Sequence, residues 1–92
     1  MKSMISIAKV SYDPDVDAAT VYFVFPAKSH RTVVVDGARN FDYDEEGGIL
    51  YVELLDVSRG VKLHGLPEPD LVRQALRRIA TEQGWEAAPI RP

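Results

Sequence analysis

A chain of 92 residues with 46% hydrophobic and 27% charged side chains has the length and composition of one small folded unit with a single modest core. Cysteine is absent, which excludes disulfides, zinc thiolate sites and a thiol nucleophile. The net charge is −3, with ten acidic and five basic side chains in residues 1–58 and four acidic and six basic in residues 59–92, too mild a basic excess to point to nucleic acid.

The opening "MKSMISIAKVSYD" has one early lysine but no apolar run of signal-peptide length. No stretch approaches the roughly 18 apolar residues of a membrane span, so the cytoplasm is the expected compartment and no membrane partner is expected. Residues Ile5 to Tyr12 alternate weakly and predict a first strand. "DPDVD" then turns the chain, with Pro14 presetting the backbone angle and Asp13 and Asp17 placed to accept backbone amides. "AATVYFVF" is apolar on both faces, which predicts the central strand, ended by Pro26.

"RTVVVD" alternates again, and Asp36-Gly37 is a two-residue hairpin signal. "ARNFDYD" returns, "EEGG" turns, and "ILYVELLDV" makes a last strand with Leu50, Val52 and Leu54 on one face. Five strands joined in succession predict an antiparallel meander over residues 4–58. Residues 59–67 lack periodicity and read as a linker.

The period then changes. Val72, Ala75, Leu76, Ile79 and Ala80 recur at helical spacing over residues 68–84, with Pro69 and Asp70 suited to the first turn and Gly84 to the stop. The tail, residues 85–92, reads as loose. The fold class is α+β: a sheet of four or five antiparallel strands with one C-terminal helix packed on it.

"DYDEEGGILYVE" places Asp42, Asp44, Glu46, Gly47, Ile49 and Glu53 at the spacing of a calcium-binding loop. Such a loop needs flanking helices to carry its last glutamate back to the ion, and here the flanks are strands. Glu53 would stand about 20 Å along the strand from the turn, at about 3.3 Å per residue. A hairpin turn is therefore expected in place of a metal site. Asp13, Asp15 and Asp17 alternate as well, but Ala18 and Val24 occupy the places that need glycine and glutamate. The two acidic turns would hold a cation only by meeting in space.

His30 and His64 are the only histidines, and a trio through Ser58 and His64 is no more than any small protein supplies. Neither a catalytic residue nor a cofactor is expected. Arg73, Arg77 and Arg78 lie off the apolar stripe of the helix. They form either a solvated face with local ion pairs or a surface for an acidic partner.

"VSYDPDVDAATVYF" followed by "RTVVVDGARNFDYDEEGGILYVELLDVSRGV" resembles the small bacterial family called domain of unknown function 2283. Tyr12, Asp13, Pro14, Asp17 and Ala18 match its first turn. Asp44 and Gly47 match the acidic turn, and Glu53, Leu55, Asp56 and Ser58 match the last strand. The resemblance runs over roughly residues 9 to 62 and departs at Tyr51, where the family usually has glycine. It implies a small β-rich fold and brings no established activity. Some members are thought to lie beside toxin-like genes, so it also implies an antitoxin role as one alternative. The expected function is a small interaction module, associating as a homodimer.

Overall fold

The computed structural model describes residues 4–92; residues 1–3, which include the early lysine of the N-terminal reading, lie outside the described part. Period-two alternation builds five strands: β1 (Lys9–Asp13), β2 (Ala18–Tyr22), β3 (Arg31–Asp36), β4 (Arg39–Tyr43) and β5 (Ile49–Leu54). All pair antiparallel in one sheet, and a single helix, α1 (Pro69–Gln83), follows near the C-terminus. The α+β class with a five-stranded sheet is therefore as expected from the sequence.

The neighbour order is β1-β2-β5-β4-β3, which corrects the meander to a Greek-key arrangement. It also moves the centre of the sheet from β2 to β5. Alternation assigns a residue to a face but does not choose the neighbouring strand. The choice rests here on residues 23–30, which cross three strand spacings, about 14 Å, and are long enough to do so. The amides of Phe23 and Val24 both donate to the Leu50 carbonyl, at 2.8 and 3.2 Å, and the His30 amide donates to Tyr43 at 2.9 Å. The crossing segment is thus pinned along one end of the sheet.

The core lies between one sheet face and the helix. Val21, Phe41, Val52 and Leu54 join Val72, Ala75, Leu76 and Ile79 in one buried cluster. The helix follows its expected bounds because Pro69 starts it without forfeiting an amide bond, Asp70 suits its first turn, and Gly84 ends it at φ 74°. Trp85 folds back, its amide donating to Ala80 at 2.8 Å and its ring meeting Tyr12 edge-on at 5.5 Å.

Three segments differ from expectation. The first strand begins at Lys9, not Ile5, although Ile5 and Ile7 still pack partly against the core. The last strand stops at Leu54, because Asp56 takes a left-handed φ of 52° and Val57–Arg59 coils into a short 3-10 turn. The tail is not loose. Two short strands, β6 (Val61–Lys62) and β7 (Ile90–Arg91), pair in parallel, and the Val61 amide donates to Pro89 at 2.7 Å. Burial of Val61 and the packing of Ile90 on the core hold the tail down.

Arg39 fastens this second sheet to the first. Its Nε and Nη2 donate to Asp36 Oδ2 at 3.0 and 2.8 Å, and its Nη1 donates to the carbonyls of Lys62, at 2.7 Å, and His64. None of the described helices is long and apolar enough to cross a membrane.

Candidate functional site

The acidic turn after β4 is a hairpin. Asp44 Oδ1 accepts the amides of Glu46 and Gly48 at 2.9 and 2.8 Å, and the Asp44 amide donates to the Gly48 carbonyl at 2.9 Å. Gly47 sits at φ 83°, a left-handed conformation that favours glycine. The Asp44 carboxylate is thus directed at its own backbone. Asp42 lies on a sheet face, opposite Tyr51.

Glu53 is nearer to Asp42 than its place in the chain suggests. The hairpin sets Glu53 opposite Asn40, one diagonal step from Asp42 on the same face. The 20 Å figure measured distance along one strand and missed this return. Among the described residues, no three His, Asp or Glu side chains converge in a way that would hold a metal ion. The two acidic turns also do not meet. The β1–β2 turn lies at the Leu54 end of β5, and the Asp44 turn lies at its Ile49 end.

The first acidic turn is a fastener. Asp13 Oδ1 accepts the Asp15 amide at 2.9 Å. Asp17, at a left-handed φ of 54°, gathers Tyr12 Oη at 2.7 Å, the Ser58 amide at 2.9 Å and Ser58 Oγ at 2.6 Å. Its own carbonyl accepts the Val57 amide at 3.1 Å. Burial pushes the Asp17 carboxyl up, but the bonds from Ser58 and Tyr12 outweigh it and hold it below the usual aspartate range. Tyr12 is pushed up to about 12, by burial first and then by the Asp17 carboxylate. Tyr12, Asp17 and Ser58 therefore come together to tie β1 and its turn to the chain leaving β5, while Asp56 contributes its left-handed turn and a carbonyl that accepts the Arg59 amide at 3.1 Å. Ser58 Oγ already donates to Asp17, so the Ser58–His64 trio is not assembled.

The face opposite the helix carries the remaining polar residues in register. One row across the sheet runs Lys9, Tyr22, Tyr51, Asp42, Thr32, and the next runs Ser11, Thr20, Glu53, Asn40, Val34. Tyr51 stands at the centre, between Tyr22 and Asp42. A register shift follows directly opposite it, between Asp42 and Tyr43. Tyr22 packs against Tyr51 at 5.5 Å and Phe25 at 4.9 Å, and Lys9 Nζ lies 4.1 Å over the Phe25 ring.

Asp42 is only 3% exposed on this face. Its Oδ2 accepts Thr32 Oγ1 at 2.8 Å and Ser29 Oγ, while its Oδ1 and the Oδ1 of Asn40 are buried without a hydrogen-bond partner among the described residues. Burial raises the Tyr51 hydroxyl above its ordinary range, with Asp42 adding to the shift. Native structures rarely leave such acceptors unmet. Neither Ser29 nor Asn40 was singled out in the sequence. Asp42 enters the sequence reading only through the calcium-loop spacing, where a hairpin is expected in place of a metal site.

The helix arginines do not share one recess. Arg73 is half-buried beside His64, Ile90 and Arg91, while Arg77 and Arg78 are exposed beside Gln74, Thr81 and Glu82. The local ion pairs expected for them are absent, because among the described residues the sole ion pair is Arg39–Asp36. His30 lines a recess of about 360 Å³ with Lys28, Ser29 and the acidic turn.

A family model described as protein of unknown function (DUF2283) matches residues 9–58. That span takes in β1 through the start of the 3-10 turn, and so contains the whole five-stranded sheet and the Asp17 fastener. No curated protein and no solved structure matches the chain.

Proposed function

The chain belongs to the DUF2283 family, and from that premise we propose that it is a self-associating interaction module whose contact surface is the sheet face opposite the helix. The observation that carries this reading is the one-sided cover of the sheet. Helix and core residues occupy one face, and the other presents Tyr22, Tyr51 and Phe25 beside two buried acceptors that lack partners. A surface that combines aromatic anchors with polar groups in need of donors fits a protein contact.

Size sets the expected strength. Five strands about 4.8 Å apart and about 17 Å long give a face on the order of 400 Å² in projection. Two such faces bury about 800 Å² in total, below the roughly 1,200 Å² of standard interfaces, so the expected association is weak and concentration-dependent. The motif residues of the first turn stabilise the fold, and the reading includes no catalysis.

Light scattering over a concentration series tests it. The wild type is expected to pass from monomer to dimer mass as concentration rises, and Thr20→Arg, in the middle of the face, is expected to stay monomeric with an unchanged circular dichroism spectrum. A wild type that keeps monomer mass at high micromolar concentration overturns the reading.

A second reading rests on Arg77 and Arg78, which are exposed and form no ion pair among the described residues. It makes that side of the helix the contact for a different, acidic chain.

A further inference from the structure

Resting on the self-association reading, we infer that two copies meet face to face about a two-fold axis that runs along the strands between β2 and β5. The axis follows from how donors and acceptors are divided on the open face. The β1–β2 half carries Lys9, Ser11 and Thr20, a cation and two hydroxyls. The β5–β4 half carries Glu53, Asn40 and Asp42, with the two buried acceptors that have no partner.

The sheet order makes these halves complementary to each other. An axis between β2 and β5 exchanges β1 with β4 and β2 with β5 and keeps each row in its own row. Lys9 of one copy then faces Asp42 of the other, Ser11 faces Asn40, Thr20 faces Glu53, and Tyr22 faces Tyr51. Each acceptor meets a donor, and each contact occurs twice, as a two-fold interface requires. This pairing requires the Asn40 and Asp42 side chains to turn outward on association, a rotamer change of the kind common at interfaces.

The other in-plane axes fail on the same residues. An axis along β5 sets Glu53 against its own copy, two like charges in a partly dry interface. An axis along β2 leaves Asn40 and Asp42 unmet. An axis across the strands stacks acceptor half on acceptor half. The axis along β5 would also bring hydroxyls, of Thr20 and Tyr22, to Asn40 and Asp42, so the placement between β2 and β5 is the one that supplies both oxygens without setting a carboxylate against its own copy.

The absence of cysteine allows a direct test. Single variants Ser11→Cys and Asn40→Cys are purified, mixed, and treated with a thiol–thiol cross-linker spanning about 10 Å, the spacing of packed sheets. The mixture is expected to give a Ser11→Cys to Asn40→Cys product at least five-fold above the product from either variant alone. Lys9→Glu, at an exposed position, is expected to weaken dimerisation at least ten-fold. Like-with-like cross-linking, or a dimer of normal strength in Lys9→Glu, overturns this axis and leaves self-association standing. A monomeric wild type removes both.

Discussion

Replacing Asp17 with alanine removes the fastener between the β1–β2 turn and the chain leaving β5. The carboxylate accepts bonds from Tyr12 Oη, the Ser58 amide and Ser58 Oγ, at 2.7, 2.9 and 2.6 Å. Hydrogen bonds to a charged group contribute about 1.5–3 kcal/mol each, and bonds that share one acceptor do not add fully. Alanine also fits the left-handed conformation at this position less well than aspartate does. The expected loss is about 2–4 kcal/mol in denaturant unfolding at fixed protein concentration. In a chain of this size that lowers Tm by roughly 10–20 °C. Asp17→Gly separates the two contributions, since glycine relieves the backbone conformation but restores no bond. It is expected to recover about 1 kcal/mol. The pH dependence gives a second check. The folded Asp17 carboxyl lies below its unfolded value, so its contribution is present above about pH 4 and is lost as pH falls through the folded value. Tyr12 is shifted the other way, so its contribution is present below about pH 10 and is lost as pH rises towards about 12. Tyr12→Phe is therefore expected to flatten the alkaline limb of the stability profile. A loss below about 0.5 kcal/mol in Asp17→Ala would refute the fastener, because surface substitutions alone produce that much.

Leu76 is fully buried in the helix stripe, and Leu76→Ala is expected to destabilise by about 2–5 kcal/mol in the same unfolding assay. Millimolar calcium is expected to leave Tm unchanged, because Asp44 is turned to its own backbone and Asp42 to hydroxyls; a rise of several degrees that disappears in Asp42→Ala would contradict this. Arg77→Glu combined with Arg78→Glu is expected to leave both the melting curve and the dimer mass as in the wild type. A change in mass would shift the contact surface to the helix.

The helix was legible because five apolar positions share one period and Pro69 and Gly84 mark its ends. Strand faces were legible for the same reason, and strand neighbours were not. Nothing in "AATVYFVF" states that it pairs with "ILYVEL" and not with "RTVVVD", since that depends on how residues 23–30 cross the sheet end. The tail strand is only two residues long, too short for any period to show. Arg39 could be paired with Asp36 from its spacing, but the carbonyls of Lys62 and His64 reach it only through the folded linker. The open face was hidden by the same folding. Glu53 and Asp42 are eleven residues apart in the chain and diagonal neighbours in the sheet, and both acidic turns that drew attention serve the backbone.

Amide spectra of isotopically labelled protein, recorded by NMR over a dilution series, test the contact surface most directly. Self-association through the open face predicts concentration-dependent shifts concentrated at residues 9–11, 20–22, 40–42 and 51–53, with residues 73–78 of the helix unmoved. Spectra that do not change with concentration, or that change at Arg77 and Arg78 while the four sheet segments stay fixed, would contradict it.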